Sequence, residues 1–222
     1  MEIILLQNIL KNKQYNIMFR FYLILLSLIL PTISFADDCL GYKLTPNITI
    51  KTPSWNKQVV QPLQHIDVLH GDVIATLVDN YEITGDITSI EDGFCVGLKN
   101  IDATIGYSDF LVQIDISHKP DSCSYNAVLS HEDEHIRAYL SVIDDNQDLL
   151  KQSISSAANS ITPIFVKEEK YIESALDKLN EQIQTHPDII LLKQHIKAEE
   201  EIRNKHIDQN ETGETLKKCF DF

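Results

Sequence analysis

The chain has 222 residues, 43% of them hydrophobic, and a formal net charge of −14 from 33 acidic and 19 basic side chains. That length suits one domain with a sizeable core. The acidic balance disfavours nucleic acid and anionic lipid as partners, and neither is expected, because phosphate groups select clustered Lys and Arg.

The N-terminus reads as an export signal. Met18-Phe19-Arg20 is a short basic segment, Phe21 to Leu30 is an apolar run, and Ser34-x-Ala36 is a small-x-small cleavage site. The run is too short for an ordinary membrane span. Residues 1–36 are therefore expected to be a signal peptide. Met18 opens a complete signal by itself, so the translated start is read there. Cys39 follows Asp38 where a lipid-attachment cysteine needs a small residue. No stable membrane anchor is expected after cleavage, and residues 37–222 are assigned to the periplasm or the exterior. All four cysteines (Cys39, Cys95, Cys123 and Cys219) lie in that part. An even count in an exported chain predicts two disulfides. The favoured pairs are Cys95–Cys123, pinning a strand to the start of a helix, and Cys39–Cys219, tying the two ends.

Residues 37–120 read as strands. Asn47 to Lys51, Gln58 to Gln61, Asp72 to Thr84, Gly93 to Ile105 and Phe110 to Ser117 are rich in Val, Ile, Thr, Tyr and Phe, with Pro, Gly, Asn and Asp between them. Lys119-Pro120-Asp121-Ser122 reads as a turn. Residues 123–208 read as three helices. The first runs from about Ser124 to Ile161, with Leu129, Ile136, Leu140, Ile143, Leu150 and Ile154 on its apolar line. The second starts at Thr162-Pro163 and runs to about Gln184. The third starts after Pro187 and runs to about Ile207. Strands first and helices after predict an α+β fold: an antiparallel-rich N-terminal sheet followed by three helices in a single domain.

The first helix carries His131-Glu132-Asp133-Glu134-His135, an H-E-x-x-H pattern. Two histidines four apart lie on one face of a helix, so both imidazoles reach a single ion. Glu132 is adjacent, where it can take a proton from an attacking water. Val128, His131, His135, Tyr139 and Val142 form a mixed face beside the apolar line, which suits a site at the edge of the core. The strand Phe110 to Ile116, just upstream, is expected to be an edge that holds an extended peptide by β-addition. Tyr139 and Tyr125 are candidates for oxyanion stabilisation, although packing against the sheet is the commoner role for such residues. His65, His70, His186 and His195 read as surface or capping residues, and Trp55 as a core anchor.

Over Asn126 to Tyr139 the chain resembles the zincin clan of metallopeptidases. It is nearest to secreted proteobacterial proteins predicted to be zinc-dependent proteases, which share a strand-rich first part, a helix opening with H-E-x-x-H, further helices and a late cysteine. The resemblance implies Zn2+ as cofactor, a peptide or protein substrate, His131 and His135 as ligands, and Glu132 as catalytic base. No glycine and third His or Asp follow at short spacing, so the third ligand comes from farther along the chain. Glu169 is a candidate because it falls on the apolar line of the second helix, where an unpaired carboxylate is costly. Glu173 is another, since Glu173-x-x-x-Asp177 is similar to the ligand-plus-support pattern of the gluzincins. Glu199, His206 and His118 rank behind them. The rival reading is a non-enzymatic periplasmic or envelope protein, with a structural metal or none, whose acidic helices bind a partner.

Overall fold

The computed structural model describes residues 35–62, 70–211 and 218–219. The predicted signal segment up to residue 34, and His65, lie outside the described residues. Two long strands form the frame. β3 (Gly71–Ile90) and β4 (Gly93–Ile114) are an antiparallel hairpin closed by the turn Glu91-Asp92. β1 (Asn47–Lys51) and β2 (Asn56–Val60) add to β4 in parallel, at residues 100–104 and 109–113. The short β5 (Ile164–Val166) adds antiparallel at 94–96. Among the described residues every other strand therefore pairs with β4, and β3 is an outer strand.

Two register shifts explain why β4 reads as two strands in the sequence. Lys99 and Ser108 are extra residues opposite Thr84/Gly85 and Thr76/Leu77. Each bulge adds one residue and flips the inside-outside parity. The buried row nonetheless continues through both: Val96, Leu98, Ile101, Ala103, Ile105, Tyr107, Phe110, Val112 and Ile114. The expected edge position of Phe110 to Ile116 is overturned. Residues 110–113 are flanked by β2 on one side and β3 on the other.

The helices are α1 (Cys123–Asp145), α2 (Gln147–Ser160), α3 (Ile172–Gln184) and α4 (Pro187–Glu211). Ser122 caps α1 by accepting from the Tyr125 amide at 3.1 Å. The single helix expected from Ser124 to Ile161 breaks at Asn146, whose backbone leaves the helical region at φ −102°, ψ 13°. Its side-chain amide donates to the Val142 carbonyl and to Glu199 Oε2, both at 2.9 Å. A side chain that bonds back to the preceding turn competes with the helical ladder. Thr162-Pro163 leads into β5 rather than opening a helix, and α3 begins only at Ile172.

The core lies between the sheet and the four helices. Phe110, Ile101, Val112 and Ile114 of β4 meet Val128 and Val142 of α1, Leu150 and Ile154 of α2, Leu179 and Ile183 of α3 and Ile189 of α4, all fully buried. The architecture is α+β in a single domain with two disulfides, with four helices among the described residues where three were expected. Asp38–Phe222 form one compact unit. Trp55 is half-exposed and meets Phe110 edge-on at 5.7 Å, so it lies over the core and does not anchor it.

The disulfides are Cys39–Cys95 and Cys123–Cys219, with Cα–Cα distances of 5.5 and 5.6 Å. Both expected pairs, Cys95–Cys123 and Cys39–Cys219, are incorrect. Because β4 is continuous, Cys95 lies roughly 60 Å of strand before its end, far from the start of α1. The first bond fastens the 3-10 segment Phe35–Tyr42 to β4. The second fastens Cys219, beyond α4, to the first residue of the motif helix.

Candidate metal centre

His131 and His135 lie one turn apart on α1, as their spacing requires. α4 crosses α1 at this level and brings Asp208 to them. His131 Nε2 and His135 Nε2 are 3.2 Å apart, and Asp208 Oδ1 lies 3.5 and 3.2 Å from them. A tetrahedral ion with ligand bonds of about 2.0–2.1 Å has donor–donor edges of roughly 3.3 Å. Two imidazole nitrogens and one carboxylate oxygen at this spacing fit zinc in both donor type and separation.

The hydrogen bonding behind the histidines points the same way. His135 Nδ1 lies 2.9 Å from Asn204 Oδ1. An amide oxygen only accepts, so Nδ1 carries the proton and donates. In the neutral ring the Nε2 lone pair then faces His131 and Asp208. Lone pairs and a carboxylate turned toward one another repel unless a proton or a cation lies between them. Asn204 also bonds Tyr139, one turn beyond His135. Outer support of this kind is what orients imidazoles in metal sites.

Glu132 is the most buried residue of the motif, at 3% exposure. Its carboxylate lies against Gly71 at the start of β3, and a side chain on Gly71 would overlap Glu132 Oε1 and Val128 Cγ1. Burial pushes the Glu132 carboxyl up to about 8, with Asp72, Asp208 and Asp133 adding to the shift. Of the expected mixed face, Val128 and Val142 are buried while His131, His135 and Tyr139 are half-buried, as suits the edge of the core. On the apolar line Ile136 and Ile143 are buried, whereas Leu129 and Leu140 are only partly so.

The expected third ligands lie elsewhere. Glu169 is exposed in a 3-10 turn, and Glu173 is exposed on α3. α3 packs with Leu176 against Gly85, roughly 45 Å of strand from Gly71 and Glu132. Glu199 turns to the α1–α2 joint, where it accepts from Asn146 and Arg203. His206 is exposed and outside the convergent group. His118 is buried and pairs with the half-buried His70 at 3.0 Å. His186 caps α4, accepting from the Asp188 amide at 3.2 Å. Tyr139 packs edge-on against Tyr107 at 5.0 Å, and the Tyr107 hydroxyl donates to Glu200.

Asp208 itself was missed, although α4 carries a signal for it. Its buried line of Ile189, Leu192 and Ile196 turns polar at Glu200, Asn204 and Asp208 with the same spacing. A core-facing line that becomes polar for two turns marks the place where the helix meets polar groups of a neighbour.

The chain matches no protein-family model, no curated protein and no solved structure. Function is therefore read from the chemistry of this site.

Proposed function

We propose that the chain is an exported zinc metallopeptidase hydrolysing peptide bonds. The observation that carries this reading is the convergence of His131 Nε2, His135 Nε2 and Asp208 Oδ1, at 3.2 to 3.5 Å from one another, beside the buried Glu132. These three residues would hold the ion. Zinc, when bound, polarises a carbonyl and makes water a nucleophile at neutral pH. Structural zinc sites are normally closed by four protein ligands, whereas catalytic ones use three. Three are present among the described residues, which favours the catalytic role over the structural one.

Glu132 supplies the proton transfer. Its carboxylate accepts a proton from the attacking water and returns it to the leaving amine. Burial raises its proton affinity, which suits a group that takes a proton and holds it until the amine leaves. β3 supplies the binding edge assigned at first to Phe110 to Ile116. It pairs with β4 on one side and, among the described residues, with no strand on the other. An extended peptide added there runs past Gly71 and Glu132. Export is supported by the predicted signal and by two disulfides, and no described helix is long and apolar enough to cross a membrane.

Metal analysis and peptide cleavage on the same preparations test the reading. The full chain should carry about one zinc, and His131→Ala and Asp208→Asn should lose it. Glu132→Gln should keep the metal and lose activity by about a hundredfold or more. A parent chain that holds zinc but cleaves nothing across a broad peptide library would leave only the structural-metal, partner-binding reading. So would a Glu132→Gln chain as active as its parent.

A further inference from the structure

α4 runs alongside β3 in the opposite direction. At one end Lys193 pairs with Asp79. At the other, Gly71 lies against Glu132, whose carboxyl feels the charge of Asp208. These two points are roughly 26 Å apart on the strand and roughly 22 Å apart on the helix, so the elements keep side by side. Between them lies a cavity of about 390 Å3, within the size range of small-ligand sites. Ile105, Leu150, Leu192 and Ile196 make its walls apolar. Leu77 lines it and is 43% exposed, so its mouth opens along the outer edge of β3.

The polar groups of the lining are already engaged. At the far end the Tyr81 hydroxyl donates to Asp79, which also holds Lys193. At the near end the Tyr107 hydroxyl donates to Glu200, which Lys197 also faces. A charged ligand group would lose its hydration here and find no partner. An apolar group gains by leaving water. The cavity spans the levels of Ile196 and Glu200 on α4, roughly 12 to 18 Å along the helix from Asp208. In an extended peptide that distance is about four or five residues. Ala75, Leu77, Asp79 and Tyr81 line the cavity as alternate residues of β3, and a strand added to that edge turns its own alternate side chains to the same face.

We infer that the cavity is a remote specificity subsite, which takes one large apolar side chain of the peptide substrate, such as leucine, about four or five residues from the scissile bond. This rests on the peptidase reading, and two measurements separate them. The first is kcat/KM on a peptide series in which each position in turn carries Leu, Ala or Asp. The second is calorimetric binding of the same peptides to the full-length Glu132→Gln chain, where turnover is suppressed. At one position, about four or five residues to one side of the cut, Leu should exceed Ala by about tenfold or more in both, and Asp should fall below Ala. Ala75→Trp fills the cavity, and Leu77→Asp puts a charge at its exposed mouth. Each should bring Leu down to the level of Ala, with urea midpoints near the parent's showing that the fold is kept. Equal binding of the three peptides, no binding of any, a preference confined to residues next to the cut, or one that survives both variants overturns the proposal. Cleavage without the Leu-over-Ala order rejects the subsite and leaves the peptidase standing. Leu-selective binding without cleavage by any form of the chain does the reverse.

Discussion

Gly71 is the residue whose small size most directly shapes the site. Any Cβ there meets the Glu132 carboxylate and Val128, both on α1. Gly71→Ala should destabilise the fold by about 1 to 3 kcal/mol, the usual cost of overpacking. The shift in urea midpoint measures it, and peptidase activity should fall with it as Glu132 is displaced. His118 gives a second expectation. Burial, then the neighbouring His70, lowers its pKa, while Asp115 opposes the shift. The folded chain therefore holds this proton less tightly than the unfolded chain. Its contribution is complete above the unfolded value of about 6.5 and is lost as pH falls below that value. Urea midpoints compared at pH 7.5 and 5.5 should drop on acidification in the parent and drop less in His118→Gln.

At the scale of elements, the joint between α1 and α4 brings together the candidate metal ligands, and it was only half legible. Local spacing on α1 gave His131, Glu132 and His135, because residues four apart on one helix must share a face. Which helix crosses α1, and at what height, is set by packing, and helical periodicity says nothing about it. Glu169 looked suitable because Phe165 was counted into a helix, yet Phe165 pairs with Cys95 in the sheet. The sheet was legible as strands, but not as one spine, because the bulges at Lys99 and Ser108 break the alternation by which strands are recognised. Asn204 tests the joint itself. Asn204→Ala removes the acceptor that fixes the His135 ring and should weaken zinc binding about 10- to 100-fold. Competition with a chelator of known affinity measures this, and unchanged affinity would remove Asn204 from the site.

For the whole molecule, the two disulfides have separable roles. Each closes a long loop, with sequence separations of 56 and 96, and on the chain-entropy account is worth about 4 to 5 kcal/mol. Only Cys123–Cys219 holds a segment beyond Asp208 to the helix carrying the histidines. Replacing Cys123 and Cys219 together by Ser should therefore lower both thermal stability and zinc affinity. Replacing Cys39 and Cys95 together should lower stability alone. Melting curves and metal titrations of the two double variants decide between these roles, and equal zinc loss in both would mean that the C-terminal bond is a general brace. The even cysteine count made two bonds legible. The pairing depended on β4 being unbroken, which the composition of residues 93–114 conceals.

Because β4 pairs with every other strand, it also dictates an order of assembly. β1 and β2 emerge from the ribosome first, yet neither has a partner until residues 93–114 exist. The hairpin of β3 and β4, closed by two residues, is the part of the sheet that forms through local contacts. It is the natural nucleus, and the N-terminal strands must wait for it unpaired. A chain stalled before Gly93 has no sheet to build, so the interval between synthesis of β1 and of β4 is the period in which this protein is most exposed to aggregation.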